Sequence, residues 1–197
     1  RDLSVSQERL GDICRKRLDL NGAEKLYRQA LGLREALAET DDSSRARRDL
    51  SAIHTKLGNI EKERKNYDDA AREYRAALEL DRVLSEEVRT WQAEDDYAVS
   101  LIKLGDIERK RGEPRKAVDL LLKALEILER NVAETSSVQY RKNLATGLEK
   151  LAKSWIGLCQ SKQAARCYER AIILRKALID EFPTHTTRHE LATALFL

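Results

Sequence analysis

This chain of 197 residues is 42% apolar and 36% charged, with 8 Gly and 2 Pro, a composition that excludes a disordered polymer and points to a helix-rich fold with its own core. Lys and Arg number 37 against 34 Asp and Glu, a net charge of +3, too small to mark a nucleic-acid binder. No apolar run approaches the roughly 18 residues of a membrane span and the start carries no signal-peptide pattern, while Cys14, Cys159 and Cys167 are odd in number and include no C-x-x-C pair, which argues against a disulfide framework or zinc site and for reduced thiols in the cytoplasm.

Taken from its start, the chain repeats with a fixed period. Leu10-Gly11 recurs as Leu57-Gly58, Leu104-Gly105 and Leu151-Ala152, always 47 residues on. Ala23 recurs as Ala70, Ala117 and Ala164, and Ala30 as Ala77, Ala124 and Ala171. Tyr27 recurs as Tyr74, then Leu121, then Tyr168. Self-similarity at a period of about 20–50 residues is the signature of a solenoid. Arg1 aligns with Arg48, so the first copy is entered part-way, and the chain is expected to be a piece of a longer array.

Residues 43–89 make a clean unit. Ser43 opens it, and Thr90, Ser137 and Thr184 share its column, where hydroxyls fit helix N-caps. A first helix is predicted to about Arg64 on the stripe Leu50, Ile53, Leu57 and Ile60, whose spacing of three and four is helical. Gly58 beside Leu57 costs a helix roughly 1 kcal/mol against Ala, so its recurrence suggests close helix contact. A turn is expected at Lys65-Asn66, then a second helix carrying Tyr67, Ala70, Ala71, Tyr74, Ala77, Leu78, Leu80 and Leu84.

The third unit, 90–136, reads Arg111-Gly112-Glu113-Pro114 at the turn, with Gly to turn and Pro at the first helical position. The fourth, 137–183, ends in Pro183, and a fifth begins at Thr184 with Leu191 in the column of Leu3, Leu50 and Leu144. Units of about 1–42, 43–89, 90–136 and 137–183, with 184–197 as a partial copy, give four hairpins and the opening of a fifth in one array. Leu191, Leu195, Phe196 and Leu197 would form an incomplete helix whose apolar residues could stack on another copy.

These columns resemble the tetratricopeptide repeat (TPR) family: Leu-Gly, then Ala, an aromatic residue, then Ala. Leu10, Gly11, Ala23, Tyr27 and Ala30 carry the pattern, as do Leu57, Gly58, Ala70, Tyr74 and Ala77; the third copy has Leu121 for the aromatic and the fourth Ala152 for Gly. The resemblance implies an all-α solenoid of about four helical hairpins in a right-handed superhelix, with the first helices lining a concave groove. Two departures stand out. The usual period is about 34, and the Pro that ends the family's second helix is replaced by Glu35, Arg82, Glu129 and Lys176, so both helices should be about two turns longer. The bulky aromatic of the first helix survives only as Trp155, against Cys14, Glu61 and Glu108. Long-helix units of this kind resemble those beside NTPase or caspase-like domains in bacterial multidomain regulators.

No phosphate-binding, dinucleotide, zinc-protease or serine-hydrolase motif is present, and no enzyme activity, cofactor or metal is expected. His185 and His189 are four apart, a metal-capable spacing, but only Glu190 lies near as a third ligand, and a solvated pair is the expectation. His54 stands where Leu101 and Leu148 stand and is expected to be packed or half-exposed. The cysteines are expected to be inert.

A cationic ladder is the candidate site. Arg9, Lys56, Lys103 and Lys150 share one column and Arg15, Lys62 and Arg109 another, with Asp12, Asn59, Asp106 and Lys153 between them. By the resemblance this side faces the groove and would receive a peptide or partner helix with acidic residues. The competing reading is a solvated face of surface ion pairs such as Arg9-Asp12-Arg15. Lys150 and Lys153 face no acid in the last column, so an anion would favour that end. A structural or sensor arm of a larger regulator, or self-association, is the alternative; nucleic acid is not expected because no aromatic falls in the ladder columns.

Overall fold

The computed structural model describes residues 2–41, 43–183, 187, 189 and 191–193. Eight helices are described end to end: α1 (Asp2–Lys16), α2 (Leu20–Ala38), α3 (Ser44–Glu63), α4 (Tyr67–Val88), α5 (Trp91–Lys110), α6 (Pro114–Thr135), α7 (Val138–Gly157) and α8 (Ser161–Glu181). Among the described residues there is no strand. The fifth-copy residues Thr184, His185, Glu190, Leu195, Phe196 and Leu197 lie outside the described set.

One turn is used in every unit. Leu18, Lys65, Gly112 and Cys159 all take positive φ, at 63, 66, 83 and 57 degrees. Each closes the helix before it with a nested pair of bonds. Asn66 N donates to Glu61 O at 2.8 Å and Lys65 N to Lys62 O at 3.1 Å, and the same pair recurs in the other three turns. This is the left-handed C-terminal cap that satisfies carbonyls with no intrahelical partner. Only Gly112 takes the conformation without Cβ strain. At the other turn, Arg89 and Ser136 close α4 and α6 with φ of 50 and 52 degrees.

Among the expected N-caps, the Ser43 hydroxyl accepts from Ala46 N at 3.2 Å and that of Thr90 from Ala93 N at 3.3 Å. Ser137 occupies the cap position of α7 without a side-chain bond there. Pro114 is the first residue of α6. Glu35, Arg82, Glu129 and Lys176 lie inside their helices. The extra turns have a use, for Leu84 and Leu178 beyond that column are each 1% exposed.

The chain divides at Ser100–Leu101, inside α5. In the first unit α1 packs on α2, α2 on α3 and α3 on α4. Its core joins Ala23, Tyr27, Ala30, Ile53, Leu57 and Ile60, with Cys14, Leu20 and Leu31 against it. Fully burying each large apolar side chain contributes about 1.5–3 kcal/mol. Small residues set the approach: a Cβ added at Gly58 would lie 2.7 Å from Tyr74 Cε1, and one at Gly11 2.5 Å from Tyr27 Cε1. The ring of the second helix packs directly against the glycine of the first.

In the second unit α6 packs on α7 and α7 on α8, around Leu121, Ala124, Leu128, Leu148 and Ala171. Leu121 replaces the tyrosine, its Cγ 2.9 Å from where a Gly105 Cβ would be.

Candidate functional site

The middle column of the ladder is tied to the ring beneath it. Tyr27 Oη donates to Asp12 Oδ1 and Tyr74 Oη to Asn59 Oδ1, both at 2.7 Å. The aromatic that rests on glycine thus fixes the acceptor one residue further along the first helix. Burial, then the Asp12 carboxylate, pushes the Tyr27 hydroxyl far above its usual pKa. In the third repeat Leu121 has no hydroxyl, and Asp106 takes Arg109 Nη2 at 3.0 Å instead.

The flanking cations are largely engaged. Lys56 Nζ donates to both Asp12 oxygens at 2.5 and 2.7 Å, lies 3.2 Å from Glu8 and sits 5.6 Å from the Tyr27 ring centroid. Lys150 reaches Asp106 at 3.3 Å. Each lysine therefore bridges to the carboxylate of the 47-residue repeat before it, within the same unit. Arg15 donates to Glu63 at 2.7 Å. Lys62 and Lys103 are half-buried and partnered, and Arg9 is exposed. The within-helix pairing expected of Arg9-Asp12-Arg15 occurs at Asp106–Arg109, whereas Asp12 is taken by Lys56 and Tyr27. Burial raises the Asp12 pKa, but Lys56 and Tyr27 outweigh it and hold the carboxyl below its usual range.

Lys153 differs. It is half-buried, and among the described residues it forms no ion pair. Burial, then Lys150 and Arg109, lowers its pKa, with Asp106 and Glu149 opposing. Asp106 is buried and already bonded to Arg109, and Glu149 is bonded to Arg175 at 2.6 Å. Three cations therefore crowd around two carboxylates that already have partners.

His54 is half-buried with Nδ1 2.8 Å from Glu73 Oε2. Cys14, Cys159 and Cys167 are free thiols, and burial pushes that of Cys167 up, away from the reactive thiolate. His189 is exposed, its partner His185 lies outside the described residues, and among the described residues no group of three or more His, Cys, Asp or Glu could hold a metal. No helix among them is long and apolar enough to cross a membrane.

Paired helices of fixed period define a helical-hairpin repeat protein. The tetratricopeptide repeat model matches residues 49–130. Solved structures extend the likeness to nearly the whole chain. BtubC (BKLC) from P. vanneervenii is 22% identical, with a TM-score of 0.67 over 94% of this chain and 68% of that one. The apo form of RapI is 14% identical, with a TM-score of 0.71 over 98% of this chain and 51% of that one. A kinesin light chain from Podosopora anserina with nearly identical TPR-like repeats is 16% identical, with a TM-score of 0.62 over 96% and 83%. No curated protein matches the sequence. Residues 49–130 match the tetratricopeptide repeat model, and the chain has a TPR-like helical-repeat fold.

Proposed function

We propose that this chain is a non-enzymatic interaction scaffold that holds an acidic peptide or partner helix along the cationic side of its first helices, most strongly where Arg109, Lys150 and Lys153 converge. The observation that carries this reading is half-buried Lys153, which forms no ion pair among the described residues and stands beside the cations Lys150 and Arg109. A carboxylate brought there relieves a repulsion that the chain's own acids leave in place. Arg15 and Lys56 serve the reading less, because Glu63 and Asp12 already hold them. The free thiols fit a reducing, cytoplasmic setting.

The test is titration of a synthetic peptide ending in a run of glutamates against the parent chain and a Lys150→Glu/Lys153→Glu variant. The parent should bind and the variant should not, a Lys153→Gln variant that keeps the Lys150–Asp106 pair should bind more weakly with a melt like the parent's, and binding should fall with salt as the screening length shortens to about 8 Å at physiological ionic strength. Equal binding by both chains would sink the reading.

A second reading, a structural arm or self-association module of a larger regulator, draws on α1. Leu3, Leu10 and Ile13 are 60%, 49% and 46% exposed, whereas Leu57 and Ile60, in the columns of the last two, are buried. Light scattering showing a monomer at high concentration would count against self-association.

A further inference from the structure

A groove in the second unit runs between α6 and α8, with α7 as its floor. Buried Leu125, Leu148 and Leu151, half-buried Trp155 and exposed Leu122 make its apolar lining. Leu122 is 47% exposed, so an apolar side chain faces solvent inside a concavity. The rims have opposite signs: Glu126 and Glu129 on α6, Arg166 and Arg170 on α8. None of these residues belongs to the cationic ladder.

The first unit supplies an internal control. Two repeats earlier, Leu122 is Arg28, Leu148 is His54, Trp155 is Glu61 and Cys167 is Glu73. There the polar groups pair among themselves and with their neighbours. His54 meets Glu73 at 2.8 Å, Arg28 donates to Glu24 at 2.8 Å, and Arg64 joins Glu24 and Glu61 at 2.6 and 2.8 Å. The same place in the hairpin stack is occupied by ion pairs in one unit and left apolar in the other. Leu125 and Leu151 correspond to Leu31 and Leu57, so stacking these hairpins keeps the base apolar but does not require apolar residues at the other four positions.

We propose that the α6–α8 groove docks an amphipathic helix of a partner protein, apolar face down, with basic residues along the flank over Glu126 and Glu129 and acidic residues along the flank over Arg166 and Arg170. The occupant is a helix because α6 and α8 bond their own backbones and leave no row of amides and carbonyls to pair with an extended strand; a helix brings its hydrogen bonds with it. The opposite rims supply the charge complementarity. The Arg170–Glu129 contact at 2.5 Å, between side chains 56% and 45% exposed, opens readily to incoming charges.

The probe is a synthetic peptide of about four helical turns, with a leucine stripe flanked by lysine on one side and glutamate on the other. A scrambled peptide of the same composition is its control. Calorimetry and leucine-methyl NMR should show binding by the striped peptide only, with shifts at Leu125, Leu148 and Leu151. Leu122→Arg/Cys167→Glu, which installs the residues of the first unit, should weaken binding about tenfold or more. The milder Leu122→Ser should weaken it too and keeps the test valid if the double variant fails to fold. Ile173→Arg, at a 66%-exposed position outside the groove, should change nothing. No binding up to about millimolar peptide, equal binding of the scrambled peptide, or unchanged binding to both groove variants would overturn the proposal. Concentration-dependent shifts of the same methyls without peptide would assign the groove to a second copy of the chain and overturn it as well. This surface and the cationic ladder stand or fall separately.

Discussion

Lys56 on α3 reaches back to Asp12 on α1, its Nζ 2.5 Å from one carboxylate oxygen and 2.7 Å from the other. Because Asp12 also accepts from Tyr27 of its own hairpin, one carboxylate joins three helices. Lys150 and Asp106 repeat the link in the second unit. A cation that a sequence reader would reserve for a ligand is first a rivet between hairpins.

The rivet is pH-dependent. Asp12 has a folded pKa below its usual value, so its contribution is fully present above the unfolded pKa and is lost as pH falls through the folded one. Lys56→Met should cost about 1 kcal/mol at neutral pH, the scale of a partly exposed pair. The gap between parent and variant should close as urea melts are repeated below pH 4. A gap independent of pH would assign the loss to packing of the lysine stem.

The glycines separate two kinds of position. Gly58→Ala adds a Cβ 2.7 Å from the Tyr74 ring; displacing the ring should cost about 1–3 kcal/mol and outweigh the roughly 1 kcal/mol of added helix propensity. Gly32 lies inside α2 with nothing within 4 Å of an added Cβ. Gly32→Ala should therefore stabilise by about 1 kcal/mol. Opposite shifts in thermal midpoint are expected, and shifts of the same sign would contradict the ring-on-glycine packing.

The hairpins were legible in the sequence because burial recurs with the period: Ala23, Ala70, Ala117 and Ala164 are all buried, and a residue too small to fill a core survives in every copy only where helices must approach. The turn was half legible. Gly112 advertises a left-handed residue, whereas Leu18, Lys65 and Cys159 do not, since the cap bonds that hold them there are made by the backbone. Within the ladder, Lys56 was assigned to solvent or ligand because its partner lies 44 residues away. The pairing of Asp12 with Tyr27 and Asn59 with Tyr74 was visible only as two columns a constant 15 residues apart. The α6–α8 groove could have been suspected from Trp155 alone, the one first-helix aromatic retained in its column.

Those turns give a prediction of their own. Leu18 is 82% exposed at a φ of 63 degrees, so its side chain adds strain and little packing. Leu18→Gly should stabilise by about 0.5–1 kcal/mol, the left-handed penalty less the entropy cost of Gly. Gly112→Ala should destabilise by about 1 kcal/mol although nothing lies within 4 Å of the new Cβ. Chemical denaturation of both variants checks the pair; a neutral Gly112→Ala would mean the turn relaxes at no cost.

The buried ion pairs carry the last prediction. Arg34–Glu8 in the first hairpin and Arg175–Glu149 in the fourth are the same pair, 26 residues apart in each. The third hairpin holds Leu128 and Ile102 in those columns, 0% and 6% exposed. One hairpin geometry thus accepts either an ion pair or two apolar side chains. Arg175 and Glu149 have side chains 7% and 12% exposed, so removing one charge strands the other away from water. Arg175→Leu alone should cost about 3 kcal/mol. Adding Glu149→Ile to it should restore stability to within about 1 kcal/mol of the parent or above it, since apolar replacement of a whole buried pair is often neutral or favourable. The urea midpoints of the parent, both single variants and the double variant close a thermodynamic cycle. A double variant no better than Arg175→Leu would show that the fourth hairpin needs the charges themselves, and the third hairpin's apolar pair would then owe its stability to neighbours that the fourth lacks.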